Sequence, residues 1–264
     1  MTGDHVLTGV QLEGRPRPVP YGVDMQPDQD APTTTPGTAA ARDLRVVLVA
    51  IAVAVVLSRL VTGVARSGAL PSPVVQVLAA DLVVWVPLAL GVWWVLRRSA
   101  PVALVRRLGL GWPDAVAAIG VAVVCRGLDA GLSVLFSGTT GLTPPVTLGP
   151  PDVVPLVVAA VGVCVVSPVL EEVVFRGVLQ RRLASELTPR TRFLAVLLTA
   201  FLFALLHLLL GAGGTTLAGF QVFVTTFVLG LLTGVLVAMT DRLGGAVLAH
   251  VLFNTVAVVA TWPR

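Results

Sequence analysis

The sequence has few charged residues and no lysine. Charged side chains make up 12% of its 264 residues, and 56% of the residues are hydrophobic, whereas a soluble globular domain carries about 25% charged residues. This composition excludes an ordinary soluble domain and is typical of a polytopic membrane protein. The basic residues are all arginines, in short clusters between apolar runs. We therefore expect a lipid bilayer as the partner, and no nucleic acid.

Cysteine is also scarce. Cys125 and Cys164 both lie inside apolar segments, and no C-x-x-C motif is present. These observations argue against a disulfide framework and against a cysteine-based metal site. We interpret both residues as small core side chains.

Two regions differ in composition. Residues 1–43 are rich in Pro, Thr, Gly, Asp and Gln and lack apolar periodicity, which predicts a disordered tail. Residues 44–264 are predicted to form an all-α membrane helix bundle with about seven transmembrane helices. The predicted spans are approximately 46–64, 74–96, 114–136, 153–183, 193–210, 220–239 and 246–261.

Segments that contain arginine alternate along the chain with connections that have almost none. The first group comprises the flank before the first span, 97–107, 181–192 and 241–242. In the second group, 137–152 and 208–219 contain no basic residue, and 66–73 contains only Arg66. Since positive residues are retained on the cytoplasmic side, this alternation predicts a multi-pass protein with a cytoplasmic amino terminus.

Adjacent carboxylates, Glu171 and Glu172, lie in one of the most apolar regions and are followed by Arg176. Ionisable groups in apolar segments of membrane length are costly and usually functional. Glu172 and Arg176 are four residues apart, so we expect an ion pair on one helix face. That pair would leave Glu171 free to act as a general base. The structural alternative is a buried ion network.

Three more polar residues lie in later apolar runs. His250 and Asn254 are four residues apart and share one helix face, where two donors could stabilise a developing oxyanion; the alternative is an interhelical hydrogen bond. His207 lies in an otherwise apolar helix, where it is either a packing residue or a catalytic residue. A rise of about 1.5 Å per residue puts Glu171 and His207 at different depths, unless the long run 153–183 tilts or projects from the membrane.

A further charged pair, Arg126 and Asp129, lies in the third span. Their spacing of three residues puts both on one helix face, which predicts an internal ion pair. The alternative is a polar lining for a cavity.

Three motifs together form a much more specific pattern than any one of them alone. In chain order, on three helices, they are E-E-x-x-x-R, F-x-x-x-H and H-x-x-x-N. The pattern resembles the CAAX protease and bacteriocin-processing family (CPBP, or Abi) of intramembrane peptidases. The resemblance covers about residues 153–260. Its motifs fall on Glu171, Glu172 and Arg176, on Phe203 and His207, and on His250 and Asn254.

The resemblance implies an intramembrane endopeptidase that hydrolyses a peptide bond with a water held in a membrane cavity. Glu171 would be the general base, and His207 would help to hold and polarise the water. His250 and Asn254 would form the oxyanion hole, while Glu172 and Arg176 orient the site. No cofactor is expected; the alternative is a zinc ion bound by Glu171, His207 and His250.

The same resemblance implies a peptide or protein C terminus as substrate, lipidated or not, in CAAX-type or bacteriocin-related processing. We expect the protein in the cell membrane of a bacterium. The alternatives are a non-catalytic membrane scaffold or immunity protein, and a transporter whose intramembrane charges line a polar pathway. No internal repeat of the kind common in transporters is evident.

Overall fold

The computed structural model describes residues 36–98, 108–147, 149–211 and 214–263. Every regular secondary-structure element within these residues is a helix, which confirms the predicted all-α class. The helices that determine the architecture are α1 (Pro36–Arg66), α2 (Pro73–Leu96), α3 (Trp112–Ser137), α4 (Val153–Glu186), α5 (Phe193–Leu210), α6 (Thr216–Thr240) and α7 (Gly244–Ala260).

The first six helices are long and apolar enough to cross a membrane. The shorter α7 has 17 residues, and at about 1.5 Å per residue it reaches roughly 25 Å, near the lower limit for a span. Large apolar side chains such as Leu60, Leu90 and Val123 lie exposed on the outside of the bundle. Lipid is the solvent that suits such a surface, and the chain is a multi-pass membrane protein.

The predicted tail lies mostly outside the described residues. Its residues 36–43 are helical, because α1 begins at Pro36 rather than near Val46. Proline suits the first position of a helix, and the alanines at 39–41 are the strongest helix formers. Asp43 is buried and pairs with Arg182 of α4 at 2.8 Å. The helical region therefore extends into the predicted tail.

Helix α4 contains two segments of π-helical winding. Two π-helical segments, Gly162–Val166 and Val173–Gln180, alternate with α-helical turns. Pro168, which has no backbone N–H and tends to kink a helix, follows the first of them. Such π segments occur frequently at functional sites, and here the short α-helical stretch between them carries Glu171 and Glu172.

Helix α4 is central in the bundle and contacts α1, α2, α5, α6 and α7. Around it, α1 pairs with α2, α5 with α6, and α3 with α7. The core includes Phe175 of α4 and Phe203 of α5, whose rings meet edge to face with centroids 5.2 Å apart. Both cysteines are free and buried, as predicted.

Two ion pairs outside the α4 region connect the helices. Arg126 and Asp129 form the predicted pair at 2.5 Å. Arg126 also donates to the carbonyl of Phe253 on α7, and Gln221 of α6 donates to Asp129. This pair therefore has a structural role between three helices. A second pair, Asp114 with Arg242, was not predicted.

Candidate active site

Glu172 lies in the fully buried part of the site. Arg176 Nη1 donates to Glu172 Oε1 at 3.1 Å, and neither side chain is exposed. This is the ion pair predicted from the spacing of four residues. Arg176 Nη2 donates to the carbonyl of Gly230 on α6 at 3.0 Å, and the Arg176 guanidinium lies 4.5 Å from the ring centre of Phe203. The cation thus contacts a carboxylate, a carbonyl and an aromatic face.

Glu171 has different neighbours, because successive helical residues point about 100° apart. Its Oε2 atom lies 3.5 Å from Nε2 of His207 and 4.0 Å from Nε2 of His250. This buried oxygen accepts no hydrogen bond from the described residues. The prediction that Arg176 pairs with Glu172, and not with Glu171, is confirmed.

The two histidines are oriented through their Nδ1 atoms. Nδ1 of His207 lies 2.9 Å from the carbonyl oxygen of Phe203, and Nδ1 of His250 lies 3.1 Å from Glu172 Oε1. Both oxygens can only accept, so we assign the hydrogen to Nδ1 in each ring. In their neutral forms the rings therefore direct Nε2 lone pairs towards Glu171.

Asn254 lies apart from this cluster. Its Nδ2 donates to the carbonyl of Val163, in the first π-helical segment of α4, at 2.8 Å. This is an interhelical hydrogen bond, the alternative considered for it. The contacts among the described residues thus join five of the six predicted site residues in one network and attach Asn254 to the α4 backbone.

The depths of Glu171 and His207 agree in the structure. Helix α4 has 34 residues, which corresponds to about 51 Å at 1.5 Å per residue and exceeds a hydrocarbon core of about 30 Å. Glu171 is therefore not tied to one end of a perpendicular span. It meets His207 of α5 directly.

Gln180 is a site-supporting residue that the sequence analysis missed. Its Nε2 donates to the carbonyl of Gly234 at 2.9 Å, one helical turn beyond the contact between Arg176 and Gly230. Two polar side chains four residues apart on α4 thus bond two glycine carbonyls four residues apart on α6. The G-x-x-x-G pattern of Gly230 and Gly234 is the signal that could have indicated this close helix contact.

The central residues also fit a metal ion. One ligand atom from each of Glu171, His207 and His250 lies within 4.8 Å of the other two. Two neutral histidines with their Nδ1–H groups bonded to oxygens, together with one carboxylate, form a common zinc ligand set with an open position.

Comparison with known proteins finds one similarity, in the region that carries this site. Residues 153–256 match the family model for type II CAAX prenyl endopeptidases, described as Rce1-like. No curated protein and no solved structure matches the chain with significant similarity. The matched residues extend from α4 into α7 and include all six predicted site residues. The resemblance of the three motifs is therefore confirmed, since residues 153–256 are similar to the Rce1-like type II CAAX prenyl endopeptidases.

Proposed function

We propose that this chain is an intramembrane endopeptidase that cleaves near the C terminus of a peptide or protein, in CAAX-type processing. The observation that carries the proposal is the convergence of Glu171, His207 and His250, with ligand atoms within 4.8 Å of one another. Among the described residues, none donates a hydrogen bond to the Glu171 oxygen in this cluster. A water molecule at this point would meet one basic carboxylate and two ring nitrogens.

Glu171 is the general base of the proposed reaction. It accepts a proton from the water while the water oxygen bonds to the scissile carbonyl carbon. The C–N bond then breaks, and the proton passes from Glu171 to the leaving amine nitrogen. His207 holds the water, because its neutral Nε2 accepts the second O–H.

Glu172 and Arg176 act by positioning His250. With Nδ1–H bonded to Glu172, His250 can donate to an oxyanion through Nε2 in its imidazolium form, and Glu172 stabilises that positive charge. Asn254 has two amide hydrogens, of which one bonds to Val163. We propose that the second amide hydrogen is donated in a hydrogen bond to the oxyanion.

We keep the cofactor-free reaction as the proposal, with zinc as its alternative. The three ligand atoms lie within 4.8 Å of one another, which is close enough for them to bind one metal ion. If bound, zinc would be held by Glu171, His207 and His250 and would lower the pKa of a bound water. We further propose a cytoplasmic amino terminus and the cell membrane of a bacterium as the location.

The test uses purified protein in detergent and quenched-fluorescent peptides ending in a CAAX-type sequence, with and without a prenyl group. Wild type is compared with Glu171→Gln and, as a matched control, with Glu186→Gln at the exposed end of the same helix. We expect cleavage by wild type and by the control, and cleavage at least about 10²-fold slower by Glu171→Gln. Cleavage that survives a chelator supports the cofactor-free reaction, whereas loss with rescue by zinc supports the metal. If wild type cleaves nothing, the scaffold and transporter interpretations replace the peptidase.

A further inference from the structure

A cavity of about 490 Å³ lies beside His207, between the end of α5 and the first turns of α6. Its volume is within the range of small-molecule and side-chain binding sites, roughly 300–1,000 Å³. Leu208, Phe220, Val222 and Phe223 form much of its wall. Among its described lining residues, His207 is the one ionisable group.

The cavity adjoins the most accessible side chain of the carboxylate and histidine cluster. The side chain of His207 is 24% exposed, whereas those of Glu171 and His250 are 9% and 3% exposed. Glu172 and Arg176 are fully buried. A molecule that approaches Glu171 past His207 therefore passes this cavity.

Two features of α6 define the size of the cavity. A Cβ atom added to Gly219 would lie 3.2 Å from Cδ1 of Leu208, so the missing side chain at this position keeps the space open. Phe223 is held on both sides, edge to face against Phe201 with ring centres 5.8 Å apart and stacked on Phe227 at 6.2 Å. Such contacts fix the orientation of an aromatic ring, which makes Phe223 a stiff wall.

We propose that this cavity is an apolar subsite that receives a hydrophobic substrate side chain next to the scissile bond and thereby sets residue preference. The proposal rests on the proposed peptidase function. A charged substrate side chain is disfavoured, because most of the walls that it would contact are apolar.

The experiment changes the size of the cavity in opposite directions. Phe223→Ala enlarges it, and Gly219→Val fills it. Each variant is given peptides in which one residue beside the cleaved bond is varied from Ala through Leu to Phe and Trp, and kcat/KM is measured for each. We expect Phe223→Ala to shift the preference towards larger residues and Gly219→Val towards smaller ones, by about tenfold in relative kcat/KM. A general loss of stability would not produce opposite shifts.

Two matched control variants carry the same kinds of substitution at positions outside the cavity. Phe193→Ala removes an exposed phenylalanine at the opposite end of α5, and Gly127→Val adds a side chain on α3 where a Cβ meets nothing within 4 Å. Both should keep the wild-type ranking of peptides. If wild type cleaves but the two cavity variants also keep that ranking, the subsite is overturned while the peptidase function stands. If wild type cleaves no peptide, the function itself fails, and the subsite with it.

Discussion

Glu171 and Glu172 are chemically identical neighbours on one helix, yet their surroundings are opposite. Glu172 is fully buried, and its Oε1 atom contacts both Arg176 and His250 at 3.1 Å. Glu171 faces two histidine Nε2 atoms at 3.5 and 4.0 Å and accepts no hydrogen bond from them. A single step along the helix, about 100° of rotation, separates these environments.

The comparison shows how a small site can separate stability from reactivity. A buried carboxylate with a cation and a histidine N–H on one oxygen, as Glu172 has on Oε1, is a weak base, because these contacts stabilise its charge. A buried carboxylate without donors costs stability and is available to a reacting proton. We therefore expect substitutions at the two positions to affect different measurements.

The largest effect is expected for Glu171→Gln. Loss of the general base should reduce kcat by about 10²–10⁴-fold. The free energy of unfolding should stay the same or rise, because the substitution removes a buried charge whose Oε2 atom accepts no hydrogen bond from the described residues. Cleavage rate and thermal unfolding, measured in one detergent, test both parts. A stability loss comparable to that of Glu172→Gln would contradict the division between the two carboxylates.

Glu172→Gln should lower stability most strongly, with a smaller loss of kcat because Glu172 also positions His250. It leaves the Arg176 charge buried without its carboxylate, and breaking a buried pair in this way costs about 3–5 kcal/mol. Chemical denaturation in detergent measures this loss. The double variant Glu172→Gln with Arg176→Met should recover part of it, since no unpaired charge remains. No recovery would mean that Glu172 stabilises the fold through His250 instead.

The helical spacing of residues predicted the local part of this arrangement. Glu172 with Arg176 and Arg126 with Asp129 are pairs three or four residues apart, and the helix period alone puts them on one face. Contacts such as Asp114 with Arg242, or Gln180 with Gly234, join residues far apart in the chain. They depend on how the helices pack, which the spacing of residues within one helix does not determine.

Asn254 shows the limit of the same reasoning inside the site. It shares a helix face with His250, as predicted, but a residue one turn further along meets a different part of the neighbouring helix. There the π-helical segment presents the carbonyl of Val163. Neither the π winding nor the depth of Glu171 was predicted, because both arise from the packing of a 34-residue helix among its neighbours.

Separate substitutions of the two histidines test whether the difference between Glu171 and Glu172 extends to the residues that contact them. His207 contacts Glu171 and a backbone carbonyl, so His207→Ala should lower kcat by about 10²-fold with little change in stability. His250 contacts both carboxylates, so His250→Ala should lower both the cleavage rate and the unfolding temperature. Equal losses of stability in the two variants would show that the division between Glu171 and Glu172 does not extend to the histidines.

The smallest effect is expected for Asp241→Asn, which removes the same charge as Glu172→Gln from an exposed ion pair. Asp241 bonds Arg181 at the end of α6, where the Asp241 side chain is 74% exposed. Asparagine tolerates the left-handed backbone of this residue, with φ at 54°. The second hydrogen bond of Arg181 goes to the backbone carbonyl of Asp241 and is retained. Because exposed pairs contribute about 0–1 kcal/mol, the free energy of unfolding should change by less than about 1 kcal/mol, with kcat unaltered. A cost as large as that of Glu172→Gln, in the same denaturation experiment, would mean that burial does not set the strength of these pairs.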